Sequence, residues 1–216
     1  MNDLVQKLTS QKKAMGKQMI KSLEAPQFQL ETEVDCSRLI LFRNSIEFKP
    51  TITTILAKLA TEILVRYPLL NSSWGGDSLI IHETVNIGIA MDTNRGLLVP
   101  IIKNASKLTL FEFHEAMETI KSKRVTGKFS VDDLSGGTFT VSNLGIYNVT
   151  SFKAIVNVPE VGILALPKMS DKLVIRDGQI TSIKIMRVCL TIDHRVVDGA
   201  YGSRYLTEFA EKIENL

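Results

Sequence analysis

Between Pro50 and Pro68 the sequence carries its strongest periodic signal, with Ile52, Ile55, Leu56, Leu59, Ala60, Ile63 and Leu64 recurring at i, i+3, i+4 and i+7 spacing. Pro50 suits the start of a helix, where a missing N–H is no loss, and Tyr67-Pro68 ends it. A helix with so broad an apolar face needs an equally broad surface to cover it, and the remaining chain supplies strands. Phe28, Leu30, Thr32 and Val34 alternate with Gln29, Glu31, Glu33 and Asp35, the period of a half-buried strand. The pattern predicts further strands over 79–82, 85–91, 97–102, 138–142, 161–166, 173–176 and 180–192. Helices are predicted over 10–23, capped by Thr9 or Ser10 and ended by Ala25-Pro26, and over 36–42, 109–122 and 200–213. Helices here interleave with hairpin-like strand pairs instead of alternating strictly as βαβ. The fold class expected is therefore α/β, a two-layer sandwich with a mixed β-sheet.

The chain has 216 residues, enough to bury roughly 70% of its unfolded surface without a disulfide or metal staple. No repeat, low-complexity tract or linker interrupts it, so 1–216 reads as a single domain. Twenty-six Lys+Arg against 23 Asp+Glu leave a net charge of +3, thinly spread, so no nucleic-acid partner is expected. The apolar runs fall short of the ~20 residues a spanning helix needs, and the N-terminus lacks an apolar signal segment. No membrane association is expected, and the location expected is the cytoplasm, or the mitochondrial matrix in a eukaryote. Cys36 and Cys189 sit in apolar settings with no C-x-x-C partner and read as buried, reduced thiols.

Common catalytic signatures fail on spacing. There is no G-x-x-x-x-G-K-[ST] loop, no G-x-G-x-x-G after a strand and no G-x-S-x-G elbow. His82-Glu83 and His114-Glu115 each lack a second His four residues on, so no metal site is expected, and both histidines read as surface side chains. His194 differs. It lies in Thr191-Ile192-Asp193-His194-Arg195-Val196-Val197-Asp198-Gly199-Ala200, where a long apolar strand turns into the last helix. Charged groups crowded there are costly for stability alone. Two readings stand at this point: a hydrogen-bonded turn histidine, or a general base whose geometry Asp198 helps to hold.

The same stretch resembles the D-H-R-x-x-D-G-A signature of the catalytic core of dihydrolipoyl acyltransferases from 2-oxoacid dehydrogenase complexes, relatives in fold of chloramphenicol acetyltransferase. Asn86-Ile87-Gly88-Ile89-Ala90-Met91-Asp92-Thr93 followed by Gly96-Leu97-Leu98-Val99-Pro100 is similar to that family's N-I-G-I-A-x-D-T-x-x-G-L-x-V-P. Gly136-Gly137-Thr138-Phe139-Thr140-Val141-Ser142-Asn143-Leu144-Gly145 resembles its G-G-T-F-T-x-S-N-x-G, and Pro159-Glu160-Val161-Gly162-Ile163-Leu164 its P-P-E-V-A-I-L. Tyr67-Pro68-Leu69-Leu70-Asn71-Ser72-Ser73 matches Y-P-x-L-N-A-S. The blocks keep the family's order and span nearly the whole chain.

The resemblance implies a chloramphenicol acetyltransferase-like sandwich that moves acyl groups between coenzyme A and a dihydrolipoyl group carried on another domain or chain. It implies His194 as general base, Ser142 as oxyanion donor and Asp198 as the acid that fixes the His loop. An ordinary imidazole lies about two pKa units below an ordinary thiol, so such a proton transfer is uphill by roughly 2.7 kcal/mol, a modest barrier. Arg43, Asp92 and Asn143 fall where the family touches coenzyme A. Departures bear on details. The family's first helix usually has Arg near Lys12, so Lys12 is expected to pair with the acid of the His loop if any residue does. Glu47, Lys121 and Asn148-Val149 depart from the family's coenzyme A and post-strand positions, so the acyl group is not specified. Residues 1–216 contain no match to the lipoyl domain, the subunit-binding domain or the apolar C-terminal tail of full-length members, so either an excised core or a stand-alone protein is expected. A homotrimer, with a larger shell less expected, is the assembly inferred, with His194 and Ser142 from different chains. A stand-alone coenzyme A-dependent acyltransferase with another acceptor, and a non-catalytic scaffold paralogue, are the competing readings.

Overall fold

The computed structural model describes residues 3–94 and 96–216. Helix α1 (Ser10–Ser22) is capped by Thr9, whose hydroxyl accepts from Lys12 N at 3.2 Å, and leads into strand β1 (Gln27–Asp35) and helices α2 (Ser37–Ser45) and α3 (Ile52–Leu64). Then come β2 (Ser72–Trp74), β3 (Leu79–Ile81), β4 (Ile87–Thr93), β5 (Gly96–Leu98), β6 (Ile101–Ile102) and helix α4 (Leu110–Thr126). The chain closes with β7 (Phe139–Asn143), β8 (Gly162–Leu166), β9 (Ser170–Arg176), β10 (Gln179–Asp193) and helix α5 (Gly199–Glu214).

The main sheet has the order β1-β10-β8-β7-β4-β5, with β6 also on β4 and β9 also on β10. β4, β7 and β8 run parallel to one another and the other pairs are antiparallel, the mixed sheet expected. One face carries the helices. The stripe of α3 is buried from Thr54 to Leu64 except at Glu62, packed with Val141, Leu164, Val188, Leu190 and Ile192 in one core. α5 lies on β1, an approach Gly202 makes possible, because a Cβ there would stand 2.7 Å from Leu30 Cδ1.

Several elements depart from the sequence pattern. The run at 97–102 is two strands, because Pro100 interrupts the ladder: β5 pairs with the far end of β4 and β6 with its near end. α4 continues past residue 122 and stops only at Gly127, whose φ of 68° is left-handed. β2 was not expected. It is a short strand with no alternation, held by β3 and by a bridge from Ser73 to Glu160. Cys36 and Cys189 are free and buried, and burial pushes the Cys36 thiol up to about 12. Among the described residues no helix is long and apolar enough to cross a membrane.

Glu160, 3% exposed, ties β7 to the segment before β8: Thr140 Oγ1 donates to Oε2 at 2.6 Å and Asn157 Nδ2 to Oε1 at 3.1 Å. Burial raises its carboxyl to about 7. The folded chain therefore holds a proton that the unfolded chain has already released between the ordinary carboxylate range and pH ~7, so stability falls as pH rises through that window, by about 3 kcal/mol at most. Glu160→Gln has no such proton to lose. Its denaturation free energy relative to the parent is expected to improve by about 2–3 kcal/mol between pH ~5 and pH ~8; a constant difference across that range would show that Glu160 does not titrate there.

Candidate active site

β10 ends at Asp193 and α5 starts at Gly199, so residues 194–198 make the turn. Asp193 is wholly buried, and a buried carboxylate is tolerable only when paired. Arg195 supplies the partner: Nε lies 3.0 Å from Oδ1 and Nη2 2.6 Å from Oδ2, and Arg195 N donates to Oδ1 at 3.1 Å. Val196 N and Val197 N donate to the Asp193 carbonyl, and the Val197 side chain is buried beneath the turn. His194 N donates to Pro26 O at 2.9 Å, and the His194 ring stands edge-on to Phe28 at 5.0 Å between centroids. The imidazole is thus exposed on a turn pinned from both sides. Phe28 is 38% exposed, its ring lying between His194 and Gly199 at the start of α5.

The acid in an ion pair is therefore Asp193, and its cation is Arg195 from the same turn. Lys12 is exposed on α1. Asp198 acts by hydrogen bonding: its Oδ1 accepts from Tyr201 N at 2.7 Å and caps α5.

Ser142 lies on β7 between Ala90 of β4 and Ala165 of β8, on the face away from the helices. Its two small neighbours leave room around a half-buried hydroxyl. Asp92, two residues beyond Ala90, is on the same face and exposed; its carbonyl accepts from Arg124 Nε at 2.6 Å. Asp92, Lys121 and Arg124 line a cavity of about 430 Å³. Asn143 points to the helix side, where Nδ2 donates to Thr53 Oγ1 at 2.7 Å and Oδ1 accepts from Gly145 N at 2.6 Å, so its amide is already committed within the chain. Arg43 Nε donates to Pro50 O at 2.9 Å, which sets its guanidinium at the start of α3.

The structure gathers Ser142, Asn143, Asp92 and Arg43 at one end of the sheet and His194 with Asp198 at the other. Ser142 is level with Ala165, and Ala165 with Cys189 of β10. His194 lies five residues beyond Cys189, one past the end of β10. At ~3.4 Å per residue and ~4.8 Å per strand spacing, the serine and the histidine of one chain are separated by roughly 17 Å or more. No proton or hydrogen bond passes directly between them.

Other polar groups escaped the sequence pattern. His82 is half-buried, its Nε2 2.8 Å from Ser73 Oγ, and burial lowers its pKa. His114 is only 16% exposed at the side chain, with its ring 5.1 Å from that of Phe48. Both are thus more enclosed than surface histidines, because His82 meets Ser73 across the β2–β3 hairpin and His114 packs on Phe48 from the segment before α3. Trp74 carries the Arg195 guanidinium 4.5 Å from its ring centroid. That contact joins residues 121 positions apart, so nothing local in the sequence signals it.

Residues 2–216 match the family model described as 2-oxoacid dehydrogenases acyltransferase (catalytic domain). The chain is 37% identical over 85% of its length to the succinyltransferase component of a Rickettsia felis 2-oxoglutarate dehydrogenase complex, covering 48% of that protein. It is 33% identical over 97% of its length to the acetyltransferase component of the Bacillus subtilis pyruvate dehydrogenase complex, covering 50% of it. The chain thus spans about half the length of the curated relatives it matches. A probable dihydrolipoamide acetyltransferase from Listeria monocytogenes superposes with a TM-score of 0.93 at 31% identity, covering 99% of this chain and 95% of that one. The Azotobacter vinelandii dihydrolipoamide acetyltransferase, solved to examine a serine, a histidine and an asparagine in its catalytic mechanism, gives 0.92 at 29%, covering 99% and 92%. Chloramphenicol acetyltransferase, at 0.62 and 15% identity over 92% of each chain, shares the fold alone. Sequence blocks, sheet topology and these likenesses agree: the chain belongs to the family of 2-oxoacid dehydrogenase acyltransferase catalytic domains.

Proposed function

We propose that this chain transfers an acyl group between the thiol of coenzyme A and the thiol of a dihydrolipoyl group, with His194 as general base and Ser142 as oxyanion donor. The observation that carries this reading is the His194 turn: an exposed imidazole whose backbone is held by Pro26 and by the pairing of the buried Asp193 with Arg195. A base so placed meets an incoming thiol without reorganising the turn. The thiolate then attacks the thioester carbonyl, the Ser142 hydroxyl donates to the developing oxyanion, and collapse breaks the donor C–S bond, the departing thiolate taking the proton back from His194. Ser142, His194 and Asp198 also repeat the intervals of 52 and four residues that separate the serine, histidine and asparagine studied in the Azotobacter enzyme. Aspartate in place of that asparagine fits the capping role, since either side chain accepts from the N–H groups of the first helical turn.

Because one chain cannot join its own Ser142 to its own His194, the working site in this reading forms between subunits of a homotrimer. α1 supports such an assembly. It buries only Ser22 in its own chain and leaves Ile20 66% and Leu23 75% exposed, a helix that needs a neighbour. The cavity beside Asp92 fits a phosphate-bearing substrate such as coenzyme A, with Lys121 and Arg124 as the cations; Asn143 is better suited to holding the end of β7 than to binding it. The acetyl and succinyl relatives match at similar identity, so the acyl group is left open. Free dihydrolipoamide and the lipoyl-bearing domain are the acceptors in this scheme.

Incubation with acetyl-, succinyl- and isobutyryl-coenzyme A plus dihydrolipoamide tests the reaction directly; no exchange with any donor would refute it. His194→Ala is expected to abolish exchange, and Ser142→Ala to cost ~10²–10³ in kcat. Co-expressed, the two variants should regain about a quarter of parental activity, because in random mixed trimers that share of interfaces carries both intact groups. Complementation would fail if the two groups worked within one chain. Asp198→Asn should keep activity within a few-fold, whereas Asp198→Ala loses the helix cap and about 1 kcal/mol of stability, read by denaturant melts.

A further inference from the structure

We propose that Trp74 is a positioning residue for His194, acting through Arg195. The inference rests on the general-base reading of His194 above. Arg195 is held on two sides at once: its fork meets the buried carboxylate of Asp193, and its Cζ stands over the Trp74 ring, 4.5 Å from the centroid. The carboxylate alone leaves the face of the guanidinium open to water. The Trp74 ring covers one side of the guanidinium, which stays partly exposed, and adds a cation–π attraction that holds Arg195 in place against Asp193. His194 lies between the two paired residues in sequence, so any swing of Arg195 is transmitted to its backbone.

Trp74 is itself rigidly held. Its backbone N–H donates to Pro159 O at 3.0 Å, its strand pairs Trp74 with Leu79, and Ser73 before it is bridged to Glu160 and bonded to His82. The short hairpin of β2 and β3 contributes little to the core, and its clearest structural product is this ring over Arg195. A segment that looks like an excursion from the main sheet thereby serves the turn.

The test compares Trp74→Phe, which keeps an aromatic face, with Trp74→Leu, which keeps only apolar bulk. Trp74→Leu is expected to lower kcat roughly tenfold with KM for coenzyme A and dihydrolipoamide unchanged, and Trp74→Phe to recover it to within about twofold. Independently of activity, the His194 imidazole NMR resonance, assigned through His194→Ala, should move in Trp74→Leu and return in Trp74→Phe. A second variant leaves the ring untouched. Trp74 is the only tryptophan in the sequence, so in Arg195→Lys, which keeps the charge but loses the planar fork, its fluorescence emission should shift together with the His194 resonance. An unmoved His194 resonance in folded Trp74→Leu overturns the proposal, as it does in Arg195→Lys if Trp74→Leu fails to fold. Absence of thioester exchange in the parent protein refutes the catalytic reading instead, and the positioning role is then decided by the resonance alone.

Discussion

β10 is the constraint on which the rest of the architecture depends. Its fifteen residues pair with β1, β8 and β9, and its last residue begins the turn that carries His194. Because side chains alternate along a strand, a slip of one residue would exchange Val188, Leu190 and Ile192, which face α3 and α5, with Cys189 and Thr191 on the other face. The apolar burial where β10 pairs with β1 and β8 therefore enforces one register. That register also puts His194 beyond the end of the sheet, where its imidazole meets solvent, while its neighbour Asp193 stays wholly buried.

The turn illustrates how a small domain holds an imidazole in the open. A buried carboxylate costs several kcal/mol unless it is well paired. Arg195 satisfies Asp193 with its fork and its backbone N–H, and Trp74 covers the guanidinium face. Asp198 closes the same turn from the helix side. The rigidity is concentrated in groups flanking His194 and leaves the imidazole free for an incoming reactant.

Much of the fold was legible in the sequence because its signals are local. The alternation at Phe28–Val34, the stripe of α3 and the long run ending at Ile192 each report burial through their own periodicity, and each became the expected element. Where a second segment supplies the reason, the pattern was silent. β2 exists because β3 and Glu160 hold it, and the run at 97–102 breaks because two ends of β4 each take part of it. His82 and His114 looked like surface side chains because the residues enclosing them, Ser73 and Phe48, lie in other segments.

What the sequence by itself determined is the family and the chemically competent groups: the D-H-R-x-x-D-G-A block, the T-x-S-N block and the order in which they occur. Those are identities, and identities are written in the chain. Tertiary structure alone decided which groups meet. It paired Asp193 with Arg195 where Lys12 and Asp198 had seemed the candidates, turned the Asn143 amide inward to Thr53, and set Ser142 and His194 at opposite ends of one sheet. The physical reason is register: a strand's position along its neighbours is set by burial summed over all its pairings, and no single segment encodes that sum.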